Sequence, residues 1–259
     1  MHVPRHALAA TLLTFLTLAL TACGSTEPTA AVAEPPDGPV VVASTTWAGA
    51  FAKAAGAENV TVVAPASVPH PPDYDPKPSD LAAVASADYV LYAPFDSFAP
   101  RLRDAAGGAA QAVEVNLENT PATIHSEVTR LGELFGTDER ATQWLTTFDQ
   151  RYAELTAKTK AAAPQPAPKA VSHLFMGYWA EFAGLSVAGT FGPDPVTPGK
   201  LAELTALQPD VVLANSHLPN NPDIPNASTV ELINFPGTDL NLLTVFEENT
   251  TRLTAAFRG

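Results

Sequence analysis

Three histidines follow strand-like runs and are the residues best suited to bind a metal ion: His70, His173 and His217. Ligands of open parallel sheets bind outside the carboxyl ends of the strands, so side chains that follow strands gather there. Three neutral imidazoles suit tetrahedral Zn²⁺, with a carboxylate or a water as the fourth ligand. Taken singly, each histidine is more often a hydrogen-bonded or solvated side chain than a ligand.

His70 lies in a loop that is rich in proline. Residues 68–80 contain five prolines around this one histidine. Each proline fixes its own φ and biases the preceding residue toward extended geometry, so the imidazole would be aimed at little entropic cost. Ser79 and Asp80 predict the capped start of a helix after the loop. The alternative interpretation is an ordinary turn with a surface histidine.

The elements around this loop predict a parallel α/β arrangement. Strand-like runs occur at residues 39–44, 60–63 and 89–92, with helical patterns between them. After a proline-rich segment, the alternation restarts with runs at residues 169–172 and 211–214. Strands that alternate with helices indicate parallel sheets. The sequence therefore contains two halves with a similar alternation of strands and helices.

A long amphipathic helix is predicted between the two halves. From Thr137 onward, apolar residues recur at spacings of three and four, and prolines between residues 163 and 168 end the pattern. About 25 residues at about 1.5 Å each would span nearly 40 Å, enough to join two lobes. A helix that packs on one domain alone is the alternative. The predicted fold class is α/β, with two lobes of parallel sheet joined by a long rigid helix.

The N-terminus predicts export and a lipid anchor. Arg5 and His6 precede an apolar stretch over residues 8–20, which is the layout of a secretory signal peptide. The segment Leu-Thr-Ala-Cys-Gly-Ser around Cys23 resembles the lipobox of bacterial lipoproteins. Cys23 is the only cysteine, which excludes a disulfide and a cysteine-based zinc site. We expect the protein at the outer face of the cell membrane.

The predicted organisation follows from these boundaries, in chain order: signal peptide 1–22, lipidated N-terminus and flexible tether 23–38, N-terminal lobe 39–136, linking helix 137–165 and C-terminal lobe 166–259.

The chain is acidic, with a formal net charge of -13. Nucleic acid is excluded as a partner because such binding needs a basic surface that neutralises phosphates. An acidic body attracts cations over long range without selecting among them.

Two motifs resemble the zinc- and manganese-type solute-binding proteins of bacterial ABC importers, known as cluster A-I. The first is the His70 loop, which resembles the first metal-binding loop of the family in the spacing of Tyr74, Pro76, Pro78, Ser79 and Asp80. The second is His173 followed by an aromatic pair at residues 178–179 and by Gly-Leu at 184–185, which is similar to the C-lobe segment of the family. The resemblance covers roughly residues 39–257.

This resemblance implies a function and a partner. It implies a periplasmic-binding-protein type fold, with a helical backbone between the lobes and one divalent ion, Zn²⁺ or Mn²⁺, in the cleft. It also implies a monomeric lipoprotein that is not an enzyme and that delivers the ion to an ABC permease. By the same carry-over, His70 and His173 are metal ligands.

The sequence departs from the family at the second N-lobe histidine. Residues 113–121 contain none. Either the ligand position is empty or another residue replaces the histidine; the candidates are Asn116, Glu118, Asp96 and Glu114, with His125 further along on a predicted helix.

Two further ligands are predicted on weaker grounds. His217 rests on its position after a strand, because it matches no family ligand. Asp239 is the natural substitute for the family's last carboxylate, although a turn or helix-capping role fits it equally well. We expect Trp47, Tyr74, Tyr178 and Trp179 to line or close the cleft, with core packing the alternative for Trp47.

The cargo and the reaction class stay open at this point. Zn²⁺ is favoured because three imidazoles suit it. Replacing one imidazole with a carboxylate would favour Mn²⁺ instead. Because imidazoles must be neutral to bind metal, affinity should fall below about pH 6. A zinc-dependent hydrolase is the main alternative, with Glu181 as its general base. The same fold holding a metal chelate such as a siderophore or corrinoid, and a metallochaperone or adhesin without a transporter, are the others.

Overall fold

The computed structural model describes residues 38–218 and 221–258. The predicted signal peptide, Cys23 and the tether up to residue 37 lie outside these residues, and so their assignments stay predictions. Within the described part, no helix combines the length and the apolar character that crossing a membrane requires.

The N-terminal sheet has four parallel strands in the order β2-β1-β3-β4. They are β1 Val40–Ala43, β2 Asn59–Val62, β3 Tyr89–Tyr92 and β4 Gln111–Glu114. Its helices are α1 Thr46–Ala54, α2 Pro78–Ala85, α3 Ala99–Ala106 and α4 Pro121–Phe135. The central strands are runs of valine, leucine and tyrosine, as expected for strands that are covered on both faces.

The C-terminal sheet repeats this topology. Its four parallel strands have the order β6-β5-β7-β8. They are β5 Lys169–His173, β6 Ser186–Phe191, β7 Val211–Asn215 and β8 Ser228–Leu232. Its helices are α6 Gly177–Ala183, α7 Pro198–Ala206 and α8 Leu242–Ala256. The strand order reverses between β1 and β3 in one sheet and between β5 and β7 in the other, and ligands of such sheets bind at this point.

The predicted linking helix is α5, Asp138–Ala162, which is 25 residues long. It packs against α4 of the first lobe and against α6 and α8 of the second. Phe148 in its middle is fully buried and stacks on Trp144, while its ring edge meets Phe246 of α8. Truncating such a buried phenylalanine to alanine typically costs about 3–5 kcal/mol. The α/β fold with two parallel sheets and a long joining helix is confirmed.

One apolar core runs through both lobes and explains why they are firmly joined. It extends from Val41 and Leu91 of the first sheet, past Phe148 of α5, to Leu213 and Phe246 of the second lobe. Smaller cores cover the outer face of each sheet, under α2 and α3 on one side and α7 on the other. A continuous core resists bending between the lobes because opening it would expose apolar surface.

Details at the element ends differ from the sequence prediction. The α2 helix begins at Pro78, so Lys77 and not Ser79 precedes its first turn. Pro78 fits the first helical position because its missing N–H needs no partner there. Asp80 acts in the third position, where its carboxylate accepts a hydrogen bond from Lys77 N–H at 2.8 Å.

Candidate metal-binding cleft

A cleft of about 970 Å³ lies between the lobes at the carboxyl ends of the strands. Residues that follow β1 and β3 reach it from one side, among them Thr45 and Phe95. From the other side come Phe175 after β5 and Asn215 and His217 at the end of β7. The two reversals of strand order therefore face a shared space, as the strand-end rule predicts.

Among the residues that the structure describes, His70 has a hydrogen-bond partner for one ring nitrogen and none for the other. Its Nδ1 donates to the Oδ2 atom of Asp73 at 2.9 Å, and both residues line the cleft. The short turn at Pro71–Asp73 places this carboxylate beside the ring. With the proton on Nδ1, the lone pair belongs to Nε2. Metal-binding histidines commonly have such a carboxylate behind them, which fixes the tautomer and raises the basicity of the ligating nitrogen.

His217 also lines the cleft, but its lone pair is used within the C-terminal lobe. The Nε2 atom accepts from Asn234 N–H at 3.3 Å, and the ring stacks on Phe235 with centroids 3.7 Å apart. Asn215 orders the loop by accepting from His217 N–H at 2.9 Å. Burial, with smaller contributions from the positive charges of Arg252 and His70, lowers the pKa of His217 to about 4.

His173 lies behind the cleft wall. Its exposed fraction is 3%, and its Nδ1 atom accepts from Phe175 N–H at 3.1 Å. The backbone of Gly192 lies against the Nε2 side of the ring, where any β-carbon would collide with it. Gly192 also has a φ of +82°, which favours glycine. Burial lowers the pKa of His173 and so favours the neutral ring.

Asp239 is not one of the residues that line the cleft. It is exposed at the start of α8, and its Oδ2 atom accepts from the hydroxyl of Thr244 at 2.8 Å. The residue that caps α8 is Asn241, whose side chain accepts from Leu243 N–H at 3.1 Å. Metal ligation by Asp239 stays a prediction.

Of the candidates for the missing N-lobe ligand, three line the cleft, whereas Asp96 and His125 do not. Glu114, Asn116 and Glu118 alternate along the extended chain at the end of β4 and line the cleft. Asp96 is buried, where its carboxylate accepts from Ala93 N–H at 2.8 Å and burial raises its pKa. His125 pairs with Asp149 at 2.7 Å, on the α4 and α5 helices.

The described residues contain no cluster of three side chains of the types that bind metal ions. Over residues 38–218 and 221–258, no group of three His, Cys, Asp or Glu side chains lies close enough together to hold an ion. As arranged here, the cleft offers one available imidazole nitrogen at His70, with the ring of His217 facing the same space.

A hydrogen-bond network joins the lobes beneath the cleft, and sequence reasoning missed it. Asn119 is buried; it accepts from Trp47 Nε1 at 3.1 Å and donates to the carbonyl of Asn234 at 2.7 Å. The hydroxyl of Tyr178 donates to the side chain of Asn234. Because Asn234 also contacts His217, this network links the C-lobe imidazole to the first lobe.

Aromatic rings cross the cleft from one lobe to the other. Trp47 lies 5.9 Å from Phe235 and 6.4 Å from Phe95, measured between ring centroids. The prediction that aromatic residues line the cleft therefore holds for Trp47 and Tyr178. It is wrong for Trp179, which is completely buried in the core, and for Tyr74, which packs on Phe98 under the first sheet. Phe95 and Phe175 follow strand ends, and the rule that indicated the histidines would have found them.

No family model and no curated protein sequence matches the chain. Solved structures do match its fold. FpvC of Pseudomonas aeruginosa, a solute-binding protein solved with Mn²⁺, has a TM-score of 0.62 at 17% identity, over 85% of this chain and 96% of that one. A Zn(II)-bound variant of AdcAII of Streptococcus pneumoniae has a TM-score of 0.59 at 17% identity, over 85% and 99%.

A third similar structure is the laminin-binding protein Lmb of Streptococcus agalactiae, described as bifunctional with adhesin and metal-transporting activity. Its TM-score is 0.56 at 19% identity, and the match covers 85% of this chain and 98% of that one. At these identities the likeness concerns the fold, which is the two-lobe solute-binding-protein type that the sequence motifs predict.

Proposed function

We propose that the chain is an extracytoplasmic solute-binding lipoprotein that captures a divalent metal ion in the cleft and delivers it to an ABC permease. The shared fold supports this proposal, because the similar structures include proteins that are described with bound Mn²⁺ or Zn²⁺. The acidic charge of -13 supports the attraction of cations. Attachment to the membrane would rest on lipid at Cys23, and the protein would work as a monomer.

The observation that carries the proposal is the pair formed by His70 and Asp73. The carboxylate holds Nδ1 at 2.9 Å and leaves the lone pair to Nε2, on a residue that lines the cleft in a loop that prolines restrain. A histidine with this partner is prepared to ligate a metal without a change of tautomer. Imidazole donors favour Zn²⁺ over Mn²⁺, whereas the carboxylates of Glu114 and Glu118, which also line the cleft, would favour Mn²⁺.

The other predicted ligands require rearrangement before they bind. His217 would have to exchange the Asn234 amide for the metal, and His173 would have to turn away from Phe175 N–H and Gly192. Asp239 would have to leave Thr244. We therefore expect the loss of affinity on substitution to be greatest at His70, smaller at His217, and least at His173 and Asp239.

Metal analysis of the purified chain, followed by calorimetric titration with Zn²⁺ and Mn²⁺, tests the proposal. His70→Ala should weaken binding about 100-fold, since it removes a ligand with its supporting carboxylate. His125→Ala is the matched control, because His125 has a carboxylate partner of its own but lies outside the cleft. Equal losses in both variants would refute capture at His70.

The hydrolase alternative loses its named general base. Glu181 is exposed on α6 and is not one of the residues that line the cleft. A general base has to lie within hydrogen-bond reach of the water that it activates. Assays on ester and phosphoester substrates with added Zn²⁺ would separate the two functions.

A further inference from the structure

The cleft is far larger than a metal ion needs. At about 970 Å³ it lies at the upper end of the range of about 300–1,000 Å³ for sites that hold organic ligands. An ion with six waters would occupy roughly 200 Å³, from about 30 Å³ for each water. The space therefore fits an organic molecule of moderate size.

The walls of the cleft are suited to an aromatic or apolar surface. Trp47 and Phe95 line it from the first lobe, and Phe175 and Phe235 from the second. Phe95 and Phe175 are 53% and 48% exposed, although large aromatic side chains are normally well covered. Rings on both walls can pack against the faces of a flat ligand.

The metal donors that line the cleft do not converge on one position. The lone pair of His217 accepts from Asn234 N–H, and His173 accepts from Phe175 N–H behind the wall. His70 keeps an available nitrogen, and no three metal-binding side chains converge anywhere in residues 38–218 and 221–258. A divalent metal held here would need most of its ligands from another source.

We propose that the cleft takes its metal as a preformed complex with an aromatic chelator, and that Nε2 of His70 fills one open coordination position on that metal. This inference rests on the proposed function and specifies its cargo. One water leaves the metal as the nitrogen lone pair takes its position, so the charge of the complex is unchanged. The chelator supplies the remaining ligands and packs against the exposed rings of Phe95 and Phe175.

The charge of the cleft restricts the class of complex. Four carboxylates line it, at Asp73, Glu114, Glu118 and Glu127, against the one guanidinium of Arg130. Arg130 already pairs with Glu127 and donates to the carbonyl of Glu114 at 2.9 Å. A strongly anionic complex would be repelled by the remaining carboxylates. The cargo is therefore a neutral or cationic complex.

The test compares three probes on the full chain: Ni²⁺ alone, bipyridine alone, and the one-to-one nickel–bipyridine complex. Nickel binds nitrogen donors firmly, and one bipyridine leaves coordination positions open for His70. Binding is followed by calorimetry and by tryptophan fluorescence, to which Trp47 in the cleft contributes together with Trp144 and Trp179. We expect the complex to bind at least tenfold more tightly than either component.

Variants assign the two parts of the interaction. His70→Ala should reduce binding of the complex to the level of bipyridine alone, whereas His125→Ala should leave it unchanged. Phe95→Ala should weaken the complex about fivefold and leave Ni²⁺ alone unaffected, in line with the usual strength of an aromatic contact. Val187→Ala is its control, since Val187 is similarly exposed but lies outside the cleft. Circular dichroism verifies that each variant is folded.

The outcomes separate this inference from the proposed function. If Ni²⁺ alone binds as tightly as the complex and depends on His70, metal capture stands and the chelate is refuted. If the complex binds equally well to His70→Ala, coordination by His70 is refuted. If neither probe that contains nickel binds, the proposed function itself fails.

Discussion

The two lobes have the same strand order but offer their histidines in opposite ways. In the first lobe, His70 comes from the loop after the edge strand β2, and its side chain is 45% exposed. In the second lobe, His173 and His217 come from the central strands β5 and β7, and their lone pairs accept backbone N–H groups. A strand end therefore brings an imidazole to the correct edge, but the adjoining backbone decides whether its nitrogen is available.

The contrast has an electrostatic counterpart. His70 has a carboxylate as partner, whereas the C-lobe histidines receive hydrogen bonds from amides. A carboxylate supports a ring that gains positive charge or a metal, while an amide donor supports the neutral ring. The first lobe is prepared for a cation, and the second lobe is ordered around neutral imidazoles.

The largest expected difference between the lobes is the pH dependence that His217 gives to the free energy of unfolding. Its pKa is about 4 in the folded protein because of burial, against about 6.5 for an exposed histidine. Between these values the unfolded chain binds a proton that the folded chain does not, so stability falls as pH falls from about 6.5 to 4. This contribution amounts to about 3 kcal/mol at pH 4.

His217→Gln removes this titration and keeps an oxygen that can accept from Asn234 N–H. Relative to the parent, the free energy of unfolding of the variant should rise by about 3 kcal/mol between pH 7 and pH 4. Urea denaturation at several pH values measures this difference, and His125→Gln is the control for a histidine outside the cleft. Parallel curves for His217→Gln and the parent would show that the C-lobe imidazole is not held neutral by burial.

The same contrast explains what the sequence could predict. The strands, the α5 helix and the presence of His70 and His217 at a shared edge follow from local patterns of apolar residues. These signals extend over a few residues, and tertiary contacts do not alter them. The strand-like run at residues 169–172 also predicted the strand end correctly, since His173 is the last residue of β5.

What the sequence could not predict depends on distant residues. The position of the His173 ring depends on Gly192, which lies on another strand end, and on the amide of Phe175. The Asn119 contact to Asn234 joins residues 115 positions apart. No local periodicity reports such pairs, and a single asparagine in a loop gives no sign of its partner. The direction of each lone pair therefore required the folded structure.

The next largest effect concerns the network that holds the two lobes together. Asn119→Ala should lower the free energy of unfolding by about 2 kcal/mol, because it leaves the buried carbonyl of Asn234 and the Nε1 atom of the half-buried Trp47 without their partner. Urea denaturation measures the loss. Asn116→Ala is the control, since Asn116 is exposed and bonds only within its own loop, at Glu118 N–H. An equal loss in both variants would mean that the asparagines act locally and not between the lobes.

The smallest effect addresses the carboxylate that distinguishes the first lobe. Asp73→Asn keeps an oxygen that can accept from His70 Nδ1 but removes the negative charge behind the ring. Metal affinity should fall about tenfold, at the lower end of the effect of such partners, because Asp73 is largely exposed to solvent. Calorimetric titration measures the change, and Asp149→Asn, which alters the partner of His125, is the control. If Asp73→Asn binds metal as tightly as the parent, the carboxylate only orients the ring, and the lobes differ in which nitrogen they leave available rather than in the charge behind it.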